Sequence, residues 1–142
     1  MAATRSTPSI SLDGALSVIE TALAVAAGQQ VAVCVAVCDP GGNPVAAVRM
    51  DGAPVLSMQL AHDKAWTVTQ LNGIPTDAAW ASVSEEPALV QALVTVPRVT
   101  LLGGGTPLVV DGAIVGAVGV SGGSPDQDIS IAEAAADGLG AG

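Results

Sequence analysis

The chain has 142 residues and a formal net charge of −9, from 13 acidic and four basic side chains. A chain of this length buries roughly two-thirds of its unfolded surface around one core, so we expect one domain over residues 1–142, with residues 1–8 flexible. The negative charge excludes nucleic acid as an expected partner. No apolar run approaches the roughly 20 residues of a membrane span, and residues 1–14 lack the apolar segment of a signal peptide. We therefore expect no membrane association and a cytoplasmic location.

The hydrophobic residues are almost all aliphatic. They make up half of the chain, yet Phe and Tyr are absent, and Trp66 and Trp80 are the only aromatic residues besides one histidine. The core must therefore consist of Ala, Val, Leu and Ile, with small side chains and close approaches between backbones.

The first predicted elements are a helix and a β-hairpin. Ser11 is a helix N-cap, and the helix ends near Gly28. Its apolar positions recur at spacings of three and four, namely Leu12, Leu16, Ile19, Leu23 and Ala26. The stretch "VAVCVAVC" then alternates strictly, with Val on one face and Ala or Cys on the other, and "DPGGN" turns the chain into "PVAAVRM". This pattern predicts a hairpin with both faces covered.

Cys34 and Cys38 lie on the same predicted strand. Their Cα atoms would be about 13 Å apart there, too far for a disulfide. A metal site would need more ligands than these two thiols and His62, the only histidine. We expect two buried free thiols and no metal site.

The second half of the chain predicts helices followed by strands. Residues 55–71 form a second helix that "NGIP" stops, and residues 76–94 form one or two short helices interrupted around Pro87. The segment "RVTLL" begins a second sheet-forming block, and "PLVVDGAIVGAVGV" is a hairpin with Asp111-Gly112 at its turn. A last helix opens with Ser124 as N-cap and Gln127 in a capping box.

The order of these elements predicts the fold class. Hairpins take the place of repeated βα units, which argues against a Rossmann fold. We predict an α+β fold with an antiparallel sheet of about five strands and flanking helices.

Lys64, the only lysine, falls in the apolar stripe of the second helix, among Leu60, Ala61, Ala65 and Val68. Two interpretations remain open. The stem lies along apolar surface while the ammonium reaches water, or the ammonium meets a carboxylate in a cleft, from Asp51 or from a ligand. His62 is about 200° around the helix axis from Lys64. It is either a surface or subunit-contact residue, or a haem or metal ligand.

Two glycine-rich segments are further candidates for the site. Gly103, Gly104 and Gly105 stand where a strand is predicted to end, and they permit either a bulged corner or the close approach of a backbone or flat ligand. The "SGGS" segment, which contains Ser121 and Gly122, is either an anion nest or only the cap of the last helix.

Four blocks resemble one known family. They are "CDPGGNPVAAVRMDGAP", "AHDKAWT", "PRVTLLGGGTPLVVDGAIVGAVGVSGG" and "DQD", within about residues 9–139. They resemble the GlcG/HbpS-like family, a haem-binding-protein and glycolate-operon group also found at the C-terminus of some cobalamin adenosyltransferases. The resemblance implies a profilin-like sandwich, homo-oligomers from dimers to octamers, and Lys64, Arg49 and Asp51 as signature positions.

The resemblance also implies haem binding by some members. This chain lacks stacking aromatic residues, and its good iron ligands are confined to His62, Met50, Met58, Cys34 and Cys38. We expect that any haem binds weakly, without strong axial ligation by histidine.

Two functions remain open at this point. One is a small-ligand-binding protein that holds an anionic group near Lys64, with Arg49, Asp51, Gly103–Gly105, Ser121 and Gly122 also contacting the ligand. The other is a cofactor-free lyase, isomerase or hydrolase that acts on a carboxylated or carbonyl substrate with Lys64 as its catalytic residue.

Overall fold

The computed structural model describes residues 1–140 and shows one four-stranded antiparallel sheet with five helices in that range. The strands are β1 (Cys34–Cys38), β2 (Pro44–Arg49), β3 (Gly105–Val110) and β4 (Ala113–Ser121), in the spatial order β2-β1-β4-β3. The helices are α1 (Leu12–Gly28), α2 (Leu56–Gln70), α3 (Thr76–Val83), α4 (Pro87–Val94) and α5 (Pro125–Gly140). The predicted antiparallel sheet with flanking helices is confirmed.

The two faces of the sheet carry side chains of different size. One face, which we call the valine face, packs against α1 and α5 and presents Val35, Val37, Val118 and Val120. The opposite face, which we call the small-residue face, packs against α2 and presents Cys34, Ala36, Cys38, Ala117 and Gly119. The predicted separation of Val from Ala and Cys along β1 is confirmed, and both thiols are buried and free.

Helix α2 lies unusually close to β4. A β-carbon added at Gly119 would collide with the carbonyl oxygen of Ala61 and crowd the amide nitrogen of Ala65. The glycine is required because the helix backbone occupies the space of a side chain. This contact fixes the height of α2 above the sheet.

Helix α1 begins where predicted but turns a different face inward. The hydroxyl of Ser11 accepts the amide proton of Gly14 at 3.0 Å, as expected of an N-cap. Leu12 and Leu16 are 56% and 44% exposed, so their predicted place in the core is wrong. The buried side chains are Ala15, Val18, Ile19, Ala22 and Ala26. Their small size lets α1 pack closely on α5, and the bulkier leucines are left outside.

The predicted strand at "RVTLL" is wrong, and the sheet therefore has four strands in the described residues rather than about five. The amide of Thr100 donates to the Thr67 hydroxyl at 3.1 Å, so a side chain of α2 takes the place of a ladder partner. The glycine run also lies elsewhere than predicted. It leads into β3, whose first residue is Gly105, and does not follow a strand.

Local signals in the second half of the chain are confirmed. Asp111 and Gly112 have φ of 50° and 77°, as a type I′ turn between β3 and β4 requires. Ser124 and Gln127 form the reciprocal bonds of a capping box, at 2.9 Å and 3.2 Å. Among residues 1–140, no helix is long and apolar enough to cross a membrane.

Candidate functional site

Lys64 is buried, with 2% of its surface exposed. Its Nζ donates to the carbonyl oxygen of Val120 at 2.8 Å and pairs with Oδ2 of Asp128 at 3.2 Å. The snorkelling interpretation is therefore wrong. The suggested pairing with Asp51 is also wrong, because Asp51 lies exposed in the turn after β2 and the ammonium pairs with Asp128 instead. One side chain thus connects α2, β4 and α5.

The position of Asp128 follows from the start of α5. The capping box ends the "SGGS" loop and places Asp128 in the first turn, where the helix dipole favours a negative charge. Its Oδ1 accepts the amide proton of Gly123 at 2.9 Å, which leaves Oδ2 for Lys64. Sequence reasoning missed this residue. It could have been found as a carboxylate in the first turn of a predicted helix, because a buried lysine requires a carboxylate partner.

The glycine run forms the surface against which the ion pair packs. Gly104 has φ of 121°, and a β-carbon there would approach Nζ of Lys64 at 3.0 Å and Cβ of Asp128 at 3.1 Å. A β-carbon at Gly105 would lie 2.7 Å from the carbonyl oxygen of Lys64, and the amide of Gly105 donates to the Thr76 hydroxyl at 3.0 Å. Any side chain at either position would displace the ion pair or α2.

The pKa of Lys64 is lowered, chiefly because burial disfavours the charged ammonium. Asp128 opposes this shift by its charge and by its hydrogen bond to Nζ. Two of the three N–H groups of the ammonium have acceptors in the described part of the chain, so one remains for another oxygen.

A cleft of about 250 Å³ lies beside the ion pair. It is lined by Ser57, Leu60, Lys64, Leu102, Gly103, Ser121, Gly122, Gly123, Pro125 and Asp128. Ser57 and Ser121 are only 5% and 4% exposed, and their hydroxyls form no hydrogen bond within residues 1–140. Since every fully buried side-chain nitrogen and oxygen described has a partner, these two hydroxyl oxygens are accessible to water, and both serines line the cleft. Each can donate and accept one hydrogen bond to a ligand.

The cleft unites part of the predicted site. Lys64, Gly103, Ser121 and Gly122 line it, and Gly104 and Gly105 pack behind it. Arg49 and Asp51 are not brought there: both are exposed, and Nη1 of Arg49 reaches the carbonyl oxygen of Ala53 at 3.5 Å. Ser57, like Asp128, was missed, because nothing local marks a serine near the start of a helix as part of a site.

The predicted anion nest is largely used within the chain. The amide of Gly123 donates to Asp128, and the amide of Ser124 donates to Gln127. The "SGGS" segment therefore serves as the cap of α5 and holds the carboxylate that Lys64 needs.

His62 lies in a separate cluster on the outer side of α2. Nε of Arg98 pairs with Oδ1 of Asp63 at 3.1 Å, and the guanidinium lies 4.8 Å above the ring of Trp66. His62 is half-buried, and its pKa is lowered by burial and then by the charge of Arg98. In the described residues, no group of three or more His, Cys, Asp or Glu side chains is placed to hold a metal ion.

Comparison with known proteins adds context to this geometry. A family model described as "Haem degrading protein HbpS-like" matches residues 10–137. The protein GlcG of Escherichia coli K12 is 41% identical over 103 residues, which cover 68% of this chain and 74% of GlcG. The crystal structure of Klebsiella pneumoniae protein ORFY superposes with a TM-score of 0.91 at 32% identity, covering 98% of this chain and 96% of that one. The crystal structure of a PduOC:heme complex superposes with a TM-score of 0.81 at 30% identity, covering 92% of this chain and 94% of that one.

Proposed function

Because the chain belongs to the HbpS-like family, we propose that it is a small-ligand-binding protein whose ligand occupies the cleft beside Lys64. The observation that carries the proposal is that three polar residues with hydrogen-bonding capacity left unused within residues 1–140 line one cleft, namely Lys64, Ser57 and Ser121. The two hydroxyls are accessible to water, so a ligand oxygen can replace water as their hydrogen-bond partner. A ligand oxygen between these hydroxyls and the remaining N–H of Lys64 would satisfy all three groups.

The ion pair determines which head group suits the cleft. Asp128 already offsets most of the charge of Lys64, so an anionic ligand gains less here than it would from an unpaired lysine. Binding must then rely on hydrogen bonds from the ammonium and the two hydroxyls. We propose that the ligand presents a carboxylate or carbonyl oxygen to these groups.

Titration with pyruvate, followed by NMR chemical shifts, tests this proposal. We expect the amides of Ser121 and Gly122 to shift, and Ser121→Ala to weaken binding about tenfold, the effect of losing about one hydrogen bond to a charged or polar group. Ser17→Ala, at an exposed position of α1 on the opposite side of the sheet, is the matched control. Lys64→Met should abolish binding while retaining the fold. Unchanged affinity in both Ser121→Ala and a folded Lys64→Met protein would contradict the proposal.

Haem is a second ligand to consider, because the PduOC relative was solved as a haem complex. The cleft residues do not suit haem iron: in the described part of the chain, no histidine, cysteine or methionine lines the cleft. The thiols of Cys34 and Cys38 are buried, and Sδ of Met50 accepts the amide proton of Val33 at 3.4 Å. We propose that haem binds weakly here and without axial histidine. The Soret band on haem titration should be little changed by His62→Ala.

A catalytic role is the alternative function, and the lowered pKa of Lys64 beside a carboxylate favours it. In its neutral form, the amine of Lys64 can add to a carbonyl carbon, and the adduct can lose water to give an imine. Reduction with borohydride would trap a carbonyl substrate on Lys64, detected by mass spectrometry of the intact chain. The same treatment of Lys64→Met is the control, and an equal yield of adduct there would contradict this alternative.

We also propose that the chain acts as one domain and forms a homo-oligomer. Helix α4 supports an assembly, because its apolar side chains Leu89 and Val94 are 49% and 69% exposed. Burial of this helix against a second copy would remove that surface from water. Light scattering should give a multiple of 13.8 kDa, and a mass of 13.8 kDa at micromolar concentration would contradict the proposal.

A cytoplasmic location remains our proposal. The two buried thiols of Cys34 and Cys38 are compatible with a reducing compartment. Cell fractionation of the full chain would test it, and recovery outside the cytoplasmic fraction would contradict it.

A further inference from the structure

A second hollow lies next to the cleft beside Lys64. This hollow has a volume of about 360 Å³ and is lined by Trp80, Leu101, Leu102, Gly103 and Pro125, all uncharged residues. We call it the apolar trough. It shares Leu102, Gly103 and Pro125 with the cleft, so the two spaces are neighbours on either side of these residues. A molecule that reaches past these shared residues would contact both spaces.

The wall of the trough that Trp80 forms is anchored to the glycine run Gly103–Gly105, which also packs beside the cleft. Trp80 belongs to α3, and the first residue of that helix, Thr76, is fully buried and accepts the amide proton of Gly105 at 3.0 Å. Ala79 anchors the next turn of α3 with 4% exposure. The Trp80 ring itself is 47% exposed, and Leu102 opposite is 52% exposed. The trough thus presents apolar surface to water at a fixed distance from Lys64.

Resting on the proposed ligand binding in the cleft, we infer that the ligand is amphipathic, with an oxygen-bearing head beside Lys64 and an apolar body in the trough. Transfer of the body from water onto Trp80 and Leu102 supplies the binding free energy that the nearly neutral ion pair does not. The chemical class is a carboxylic or 2-oxo acid with an alkyl chain or an aryl group. Trp80 is then a specificity-determining residue, and it selects for chain length rather than for the head group.

The test is a series of straight-chain 2-oxo acids with three to eight carbon atoms, titrated against the full chain. We expect affinity to rise by up to about fourfold for each added methylene group. Trp80→Ser should flatten this dependence, so that the affinity for the eight-carbon member falls much further than the affinity for pyruvate, the shortest member. Leu16→Ser removes a comparably exposed apolar side chain from α1, on the opposite side of the sheet, and is the matched control. It should preserve the full dependence on chain length.

The possible results separate the inference from the proposed function. Equal affinity for all members, pyruvate included, would overturn the amphipathic ligand and leave binding in the cleft standing. Failure of every member to bind would overturn the oxygen-bearing head and with it the proposed function. A Trp80→Ser protein that keeps the chain-length dependence but changes its mass by light scattering would show that the trough is a contact between subunits, which also overturns the inference.

Discussion

The two faces of the sheet differ in the size of their side chains and in the packing that this size permits. The valine face carries branched residues such as Val35 and Val118 and is covered by two helices, α1 and α5. The small-residue face carries alanine, cysteine and glycine and is covered by α2 alone. Bulk on the first face buries apolar area, which stabilises the fold. Small size on the second face brings a helix backbone close to a strand backbone.

The short distance between α2 and β4 allows the ion pair of Lys64 to form. Ala61 lies over Gly119, and Lys64, one turn later in α2, reaches the carbonyl oxygen of Val120 and the carboxylate of Asp128. A larger residue at Gly119 would lift the helix and withdraw the ammonium from both acceptors. The small-residue face therefore positions the site, while the valine face provides most of the core.

The largest effect is expected from breaking the ion pair at the edge of the small-residue face. Asp128→Ala leaves the ammonium of Lys64 buried without its carboxylate and should lower the free energy of unfolding by about 3–5 kcal/mol. Chemical denaturation measures this loss. Asp126→Ala, in the same first turn but exposed, is the control and should cost less than about 1 kcal/mol. Equal losses in the two variants would show that the pair contributes little.

Enlarging the small-residue face should have the next largest effect. Gly119→Ala places a β-carbon against the carbonyl oxygen of Ala61 and should cost about 3 kcal/mol as α2 is displaced. Gly28→Ala, at the end of α1 with no atom within 4 Å of the added carbon, should leave stability unchanged or raise it by about 0.5 kcal/mol. Thermal unfolding of both variants compares them. A Gly119→Ala protein as stable as Gly28→Ala would refute the close packing of α2.

A truncation on the valine face should cost less and leave the cleft intact. Ile131→Val removes one methylene group from a fully buried side chain of α5 and should lower stability by about 1 kcal/mol. Ile114→Val, at a position that is 38% exposed, is the control and should cost less. Neither change should alter ligand affinity, and a lost affinity in Ile131→Val would show that the two faces are coupled.

The smallest effect concerns pH. The pKa of Lys64 is lowered in the folded chain from its ordinary 10.5, so the unfolded chain binds a proton more readily. Between the folded pKa and 10.5, stability should therefore rise with pH as the desolvation penalty is relieved, and below the folded pKa the penalty is fully present.

The two thiols act in the opposite direction. Burial raises the pKa of Cys38 from 9.0 to about 11, so above pH 9 the unfolded chain loses a proton that the folded chain keeps. Subtracting the free energy of unfolding of Lys64→Met from that of the wild type removes this contribution, because both proteins keep Cys38. Denaturation at several alkaline pH values gives this difference as a curve. We expect the stability of the wild type relative to Lys64→Met to increase as pH rises. A flat curve would contradict the lowered pKa of Lys64.

The sequence predicted best those features whose causes are local. The N-cap at Ser11, the turn at Asp111-Gly112 and the capping box at Ser124 each depend on residues within one turn of one another. The strict alternation in β1 also predicted its two faces, because strand side chains alternate whatever packs on them.

Features that depend on packing between distant segments were not predictable in this way. Leu12 and Leu16 have helical spacing, but the close contact of α1 with α5 selects the alanine-rich face instead. The residues of "RVTLL" suit a strand, but the Thr67 hydroxyl takes the amide that a ladder would need. For Lys64 a carboxylate partner was one of two interpretations, with Asp51 as the candidate, and the partner observed is 64 residues away, beyond any spacing rule.

The cleft is assembled from three separate segments, around Ser57 and Lys64, Leu102 and Gly103, and Ser121 to Asp128. None of these segments can form the cleft alone, so an unfolded chain offers a ligand no comparable site. By mass action, any molecule that binds there must shift the unfolding equilibrium towards the native state, by about 2.7 kcal/mol at a concentration one hundred times its Kd. Heat denaturation of the unmodified protein in the presence of candidate compounds is therefore a direct screen, in which a compound that binds the cleft raises the Tm.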